Sequence, residues 1–348
     1  MVDKNKFPVD WEVDVLGNCV RIETGSKNTE DKIDNGRYPF FVRSQKVEHI
    51  DTYHYDCEAV LTAGDGVGTG KVFHYYNGKF DVHQRVYVLS EFDKVIGRFL
   101  YYYFKMNFLK EVEKYTAKSS VDSVRRDMIS KMQIPIPGRK EQEAITKILS
   151  NVDNLITSLQ KLIDKKKAVK QGAMQELLTG KRRLPGYSGE WVEHIIGDIL
   201  SIGHGQLQHN IEKEFGPYPI LATGGCIGYT DKFLWNEPSV LIGRKGTINK
   251  PQYIETPFWT IDTLFYSKIR KEYIAKFIYY KFCMIDWLRY NEASGVPSLS
   301  ANIIENIKIM VPDNKKEQAE IAEILTDMDN EIEQLEKNLL NISKSGRE

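Results

Sequence analysis

Between Glu141 and Leu178, apolar side chains return at a spacing that places them on one side of a helix. They fall at Ile145, Ile148 or Leu149, Val152, Leu155 or Ile156, Leu159, Leu162 or Ile163, Val169 and Leu177–Leu178. Steps of three and four, sustained over about five heptads, predict one long helix with a coiled-coil seam. At 1.5 Å per residue that helix is roughly 57 Å long. No proline interrupts it and Gly172 is its only glycine. "LTGKRRLPG" then stops it with glycine, a basic run and proline. A second, shorter arm repeats the pattern at Ile321, Ile324, Met328, Ile332 and Leu335 and stops near Asn341. Ahead of each arm the pattern changes. Short β-like runs ("AVLTA", "QRVYVLS", "KMQIPIP") predict strands. An aromatic stretch, Phe99 to Phe108 with Phe277 to Phe282 as partner, could stack bases, but its helical spacing favours a core face.

The chain is written twice. At a shift of 180, Trp11 falls on Trp191, Gly17 on Gly197, Gly25 on Gly205, and "VLTAGDG" (60–66) on "VLIGRKG" (240–246). At 178, "IGRFLYYYFK" (96–105) falls on "IAKFIYYKFC" (274–283). At 175, "SSVDSVRRDMISKMQIPIP" (119–137) falls on "SGVPSLSANIIENIKIMVP" (294–312), and at 176 "KEQEAITKIL" (140–149) falls on "KEQAEIAEIL" (316–325). Drift in the shift marks single insertions or deletions in loops. The predicted order is a mixed domain (1–138), a long central helix (139–184), a second mixed domain (185–313) and a distal helix (314–348). The fold class is α+β with an internal pseudo-twofold repeat, the two helices pairing as an antiparallel coiled coil. Charge supports the pairing: residues 139–183 hold eleven basic and five acidic residues, whereas 313–348 hold five and ten. Complementary flanks of this kind choose a partner; the alternative is an arm that packs mainly on another subunit.

Candidate chemistry changes this picture little. "LTAGDGVGTGK" (61–71) looks like a phosphate loop but has Asp65 where the P-loop needs glycine and Val72 where it needs a hydroxyl. Its repeat partner keeps only Gly66, as Gly246, so the stretch reads as a strand entering a turn, with glycine supplying positive φ. Four dispersed cysteines form no CxxC pair and read as buried free thiols. The histidines have no HExxH or CxxC companion, and no methyltransferase or helicase motif occurs. "PDNKKEQ" (312–318) reads as a helix cap rather than a carboxylate set. The most apolar run, 277–288, is too short to span a bilayer and carries Lys281 and Asp286. With no signal peptide in view, the expectation is a cytoplasmic protein. Net charge is zero, so nucleic-acid binding would rest on local patches.

Several stretches resemble the specificity subunits of type I restriction–modification systems. "GEWVEHIIGDI" (189–199) is similar to the start of that family's target-recognition domains. "IPIPGRKEQEAITKIL" (134–149) and "MVPDNKKEQAEIAEIL" (310–325) are similar to its P-x-x-x-E-Q-x-x-I junction, and "MQELLTGKRRLPGYSGEW" (174–191) to its LL-x-G linker. The resemblance covers nearly the whole chain, except that the second arm lacks its own "LLTGK". It implies a non-catalytic DNA-reading adaptor whose two domains each read one half of a bipartite, asymmetric duplex site. The arms would set the spacing. Two methyltransferase subunits would dock there, bringing S-adenosylmethionine, for which this chain has no site. Restriction/translocase subunits would complete the complex. Candidate readers are polar or basic residues in segments that differ between repeats. In the first domain these are Arg43, Gln45, Lys71, His83, Gln84, Arg85, Ser123, Arg125 and Arg126; in the second, Lys213, Arg244, Lys245, Thr247, Asn249, Lys250, Ser298 and Asn302. Arg and Lys suit guanine edges, Asn and Gln adenine. Candidate seam residues are Ile145, Ile148, Val152, Leu155, Leu159, Leu162, Ile321, Ile324, Met328, Ile332 and Leu335. Two other classes stay open: a duplicated protein-binding scaffold, and a self-sufficient DNA-modifying enzyme.

Overall fold

The computed structural model describes residues 7–115 and 123–345. Of the repeat match beginning at Ser119, positions 119–122 lie outside the described residues. The chain forms two compact units, 1–155 and 156–348.

In the first unit the strands are β1 (Glu12–Val15), β2 (Arg21–Thr24), β3 (Tyr38–Phe41), β4 (Glu48–Ile50), β5 (Tyr55–Ala63), β6 (Phe73–Val82) and β7 (Val86–Ser90). Helices α1 (Gly97–Glu113) and α2 (Arg126–Ser130) follow, then β8 (Gln133–Ile136) and the start of α3 (Arg139–Leu177). Six strands make a sheet in the order β2-β7-β5-β6-β3-β4, in which β3 and β6 run parallel. β1 pairs separately with β8, Glu12 opposite Ile136. The aromatic stretch is a core face: Phe99, Phe104 and Phe108 on α1 are buried with Val60, Phe73 and Leu89 of the sheet.

The second unit repeats this order with β9 (Trp191–Ile195), α4 (Ile196–Ile199), β10 (Leu200–Gly203), β11 (Tyr218–Ala222), β12 (Gly225–Thr230), β13 (Ser239–Gly243), β14 (Gln252–Ile254), β15 (Trp259–Thr260), β16 (Leu264–Ile269), α5 (Ala275–Met284), α6 (Ala301–Asn306), β17 (Lys308–Pro312) and α7 (Lys315–Ser345). Its main sheet, β10-β16-β13-β14, matches β2-β7-β5-β6 strand for strand. Where the first unit has the unbroken β6, the second has β14 and β15, interrupted around Pro257. Proline has no N–H to give the ladder. β15 then pairs parallel with β11, as β6 does with β3.

The arms pair within the second unit. Lys166 meets Glu331 at 2.6 Å, Lys167 meets Glu336 at 2.7 Å, and Lys170 meets Asp329. Residues 166–170 meet 329–336, whereas Met174, Leu177 and Leu178 further along α3 cluster with Ile321, Ala322 and Leu325, so the pair is antiparallel. Exposed ion pairs contribute only about 0–1 kcal/mol each; they set direction and register more than strength. The apolar contacts lie nearer the domain, where Met174, Leu177 and Leu178 join Ile321, Ala322 and Leu325 in one buried cluster. Ile163 and Ile332 are buried too. On α7, Ile324, Met328 and Leu335 are half-buried.

On α3 three seam expectations are corrected. Ile148, Leu155 and Leu162 are 63%, 48% and 38% exposed. Adjacent residues on a helix point about 100° apart, so only one of each neighbouring apolar pair can face inward. The inward ones are Leu149 and Ile156, half-buried, and the buried Ile163. Ile145, Val152 and Leu159 are half-buried as well, Ile145 against the core of the first unit. Val169 is exposed as well, so at heptad spacing the outward apolar positions are Ile148 and Leu155 in the first unit and Leu162 and Val169 in the second.

Each arm begins with the same buried lock. The Gln142 side chain donates to the carbonyls of Lys94 and Pro137 at 2.9 Å and accepts from the Ile96 N–H at 2.8 Å. Gln318 donates to the Pro312 carbonyl and accepts from the Ile274 N–H, both at 2.9 Å. Asn314 caps α7 by accepting from the Lys316 N–H. All four cysteines are free, but only Cys19 is buried; Cys226 and Cys283 are exposed and Cys57 is intermediate, which corrects the expectation of buried thiols. No described helix is long and apolar enough to cross a membrane.

Candidate nucleic-acid interface

In the first unit, β5 runs into the glycine turn at 64–70. Gly66 and Gly70 have φ of +73° and +66°, as does Gly246 at +87° in the second unit. A Cβ on Gly68 would sit 2.5 Å from the Arg43 carbonyl. The glycines therefore let backbone approach backbone. This turn collects side chains distant in sequence. Asp65 bridges to Ser123 through the backbone, and the Val124 N–H donates to the Gly64 carbonyl at 2.7 Å. The Asp65 carboxylate accepts from Arg43 at 2.8 Å and from Arg85. Burial pushes the Asp65 carboxyl up, but the hydrogen bonds and charges of the two arginines outweigh it and hold it below the usual carboxylate range. His83 is buried and accepts from the Arg85 N–H at Nδ1. Burial lowers its pKa, and the charge of Arg43 adds to that.

Arg43, His83, Arg85 and Ser123 are thus one group around Asp65. Lys71 is exposed after the same turn, its N–H donating to the Gly68 carbonyl. Gln84 is tied to Asn28 at 2.6 Å, and the exposed Gln45 reaches the Phe73 carbonyl at 3.5 Å. Arg125 and Arg126 are exposed at the start of α2, Arg125 lying 3.7 Å from Asp127.

The second unit builds the same frame with different side chains. Lys245 bridges to Ser298 where Asp65 bridges to Ser123. The Leu299 N–H donates to the Arg244 carbonyl, the counterpart of Val124 to Gly64. The Gly246 N–H donates to the Pro297 carbonyl at 2.9 Å. Arg244 reaches the Asp262 carbonyl at 3.4 Å. Thr247 is half-buried in this turn, and Asn249 and Lys250 are exposed just beyond it. Two candidates stand apart. Lys213 pairs with Asp231 and bridges to Tyr229, and Asn302 lies on α6 with Asn306. Sequence reasoning missed Asp65 as a participant, using it only to reject a phosphate loop. It also missed Val67, 99% exposed at the tip of the first turn, and Val296, 65% exposed beside the second. An apolar residue between two glycines is the only signal that points to Val67. Among the described residues no group of three His, Cys, Asp or Glu is placed to hold a metal.

Comparison with known proteins identifies the family. The profile of the type I restriction modification DNA specificity domain matches residues 8–170 and again 188–342. The EcoDI type I restriction enzyme specificity subunit of Escherichia coli is 28% identical over 180 residues, 51% of this chain and 39% of that protein. The MjaVIII specificity subunit of Methanocaldococcus jannaschii is 30% identical over 193 residues, 50% of this chain and 43% of that protein. The alignments therefore span under half the length of these relatives. The S subunit of a type I restriction–modification system from M. genitalium superposes with a TM-score of 0.74 at 18% identity, covering 99% of this chain and 95% of that one. A chain from a structure addressing complex assembly and conformational transition of the type I system gives 0.56 at 12% identity, covering 98% and 96%. With two copies of the family's domain along its length, the chain belongs to the type I restriction–modification DNA specificity family.

Proposed function

We propose that this chain is the DNA-reading, non-catalytic subunit of a type I restriction–modification complex in the cytoplasm, each unit reading one half of a bipartite, asymmetric duplex site. The observation that carries this reading is the repeated turn. One backbone frame presents Asp65 with Arg43 and Arg85 in one unit, and Arg244 and Lys245 in the other. The frame supplies position, and the differing side chains supply two different readings of base edges. Zero net charge leaves many phosphate contacts to other subunits.

Two methyltransferase subunits would use the outward apolar positions of α3, Ile148 and Leu155 in the first unit and Leu162 and Val169 in the second. An apolar row at heptad spacing is what a partner helix covers. The methyltransferase would carry S-adenosylmethionine, and restriction/translocase subunits would join the assembled complex.

Selection of the complex on randomised duplexes tests the reading. Two blocks of fixed bases separated by an unspecified gap are expected. Arg244→Ala should cost about 1–3 kcal/mol on the selected site if Arg244 contacts a base, and relax only the second block. Equal weakening on selected and random DNA would make Arg244 a phosphate contact. No enrichment at all would favour a protein-binding scaffold.

A further inference from the structure

The loop at 291–298 of the second unit carries small or polar side chains except at one position. Its sequence is Asn-Glu-Ala-Ser-Gly-Val-Pro-Ser, and Val296 stands 65% exposed in it. A single exposed valine is ordinary on a protein surface. What sets this one apart is how firmly the loop is built around it.

Both ends of the loop are anchored in the core, by Trp287 ahead of it and Leu299 after it. The Asn291 side chain closes the loop on itself. Its Oδ1 accepts from the Ala293 N–H at 3.1 Å and the Ser298 N–H at 2.9 Å, and its Nδ2 donates to the Ala293 carbonyl at 2.8 Å. The Glu292 N–H donates to the Ser298 carbonyl at 3.1 Å. The second limb is laid along the basic turn: the Gly246 N–H donates to the Pro297 carbonyl and the Leu299 N–H to the Arg244 carbonyl, both at 2.9 Å. A following proline confines Val296 to extended backbone, and a β-branched side chain is stiff at χ1. Its two methyl groups are therefore held at a fixed place, one residue from the bond to the Arg244–Lys245 turn, with little freedom left to lose on contact.

Cations and apolar groups read different features of a base pair. Arg and Lys donate to guanine, whereas the methyl group that thymine projects into the major groove is read by apolar contact. We infer that Val296 packs on the 5-methyl group of a thymine in the second half-site, beside the bases met by Arg244 and Lys245. This rests on the DNA-reading role proposed above and adds to it a specificity-determining residue and the base chemistry it selects.

Deoxyuridine differs from thymidine only in lacking that methyl group, so it isolates the contact. With the assembled complex on its selected duplex, second-block thymines are replaced one at a time. One replacement should weaken binding about three- to tenfold. Val296→Ala should bind the thymine and deoxyuridine duplexes equally, and should melt with the unchanged protein because the side chain is exposed. A selected second block without an A·T pair overturns the inference, as does a deoxyuridine penalty that Val296→Ala leaves in place. Equal weakening of Val296→Ala on both duplexes would make the valine a wedge between base steps and overturn it too. Failure to select any site would remove the DNA-reading role itself, whereas a selected site with no methyl effect sinks this inference alone.

Discussion

A carboxylate that accepts from two guanidinium groups fixes where both can reach. Asp65 does this for Arg43 and Arg85 from the floor of the first turn. Asp65→Ala is expected to leave both arginines mobile and lower affinity for the selected site about tenfold, or about 1.4 kcal/mol. Base preference should loosen in the first half-site alone. Thermal stability should hardly move, since ion pairs with exposed partners contribute little. A large stability loss with equal weakening at both half-sites would show Asp65 to be merely structural. A second residue gives a pH signature. Burial pulls the Lys281 ammonium down to about 8, against 10.5 for a free lysine. Between those values the unfolded chain binds the proton and the folded chain does not, so stability rises with pH across that window and the gain is lost as pH falls through about 8. Lys281→Met should flatten the rise, which is bounded at about 3 kcal/mol. Melting curves of both proteins from pH 8 to 10.5 give the comparison.

At the scale of elements, the proline-to-Glu-Gln junction that opens each arm has a physical explanation. Gln318 pairs the Ile274 N–H and the Pro312 carbonyl inside the protein. Gln318→Ala strands both, at about 1–3 kcal/mol for each group left unpaired. The urea midpoint should fall with an unchanged slope. Gln142→Ala should do the same through Ile96, Lys94 and Pro137. Much of this level was legible in the sequence: repeat, strands, arms and their complementary charge all follow from pattern. The arm interior was less so. A heptad count marks Ile148 and Leu149 equally, and only the partner's position decides that Leu149 turns inward. The glycine turn was half legible. Basic residues near Gly66 and Gly246 stood out, but Arg43, Asp65 and Arg85 meet only once β3, β5 and β7 share a sheet. No local spacing encodes a contact across three strands.

For the whole molecule, the proposed spacing role of the arms makes a countable prediction. Repeating residues 156–162 once inserts a full heptad, keeps the inward seam continuous and lies before the ion-paired stretch at Lys166–Lys170. The helix lengthens by roughly 10 Å, equal to about three base pairs of B-DNA. Methylation sites mapped for the extended complex should keep both half-sites and widen the gap by about three base pairs. One domain is also carried around the duplex by roughly a third of a turn, so reduced activity is expected. An active variant with an unchanged gap would remove the arms from the spacing role.

The two turns are held by main chain: Val124 to Gly64 and Leu299 to Arg244, with the bridges at Ser123 and Ser298. Main-chain bonds are blind to side-chain identity. A lineage can therefore exchange an aspartate for a lysine at the bridge without dismantling what keeps the loop in place, and the two halves already record such an exchange at positions 65 and 245. If the turns read bases as proposed, folding and target choice are open to separate change. On that reading, a substitution at the turn alters the target while the frame stays in place.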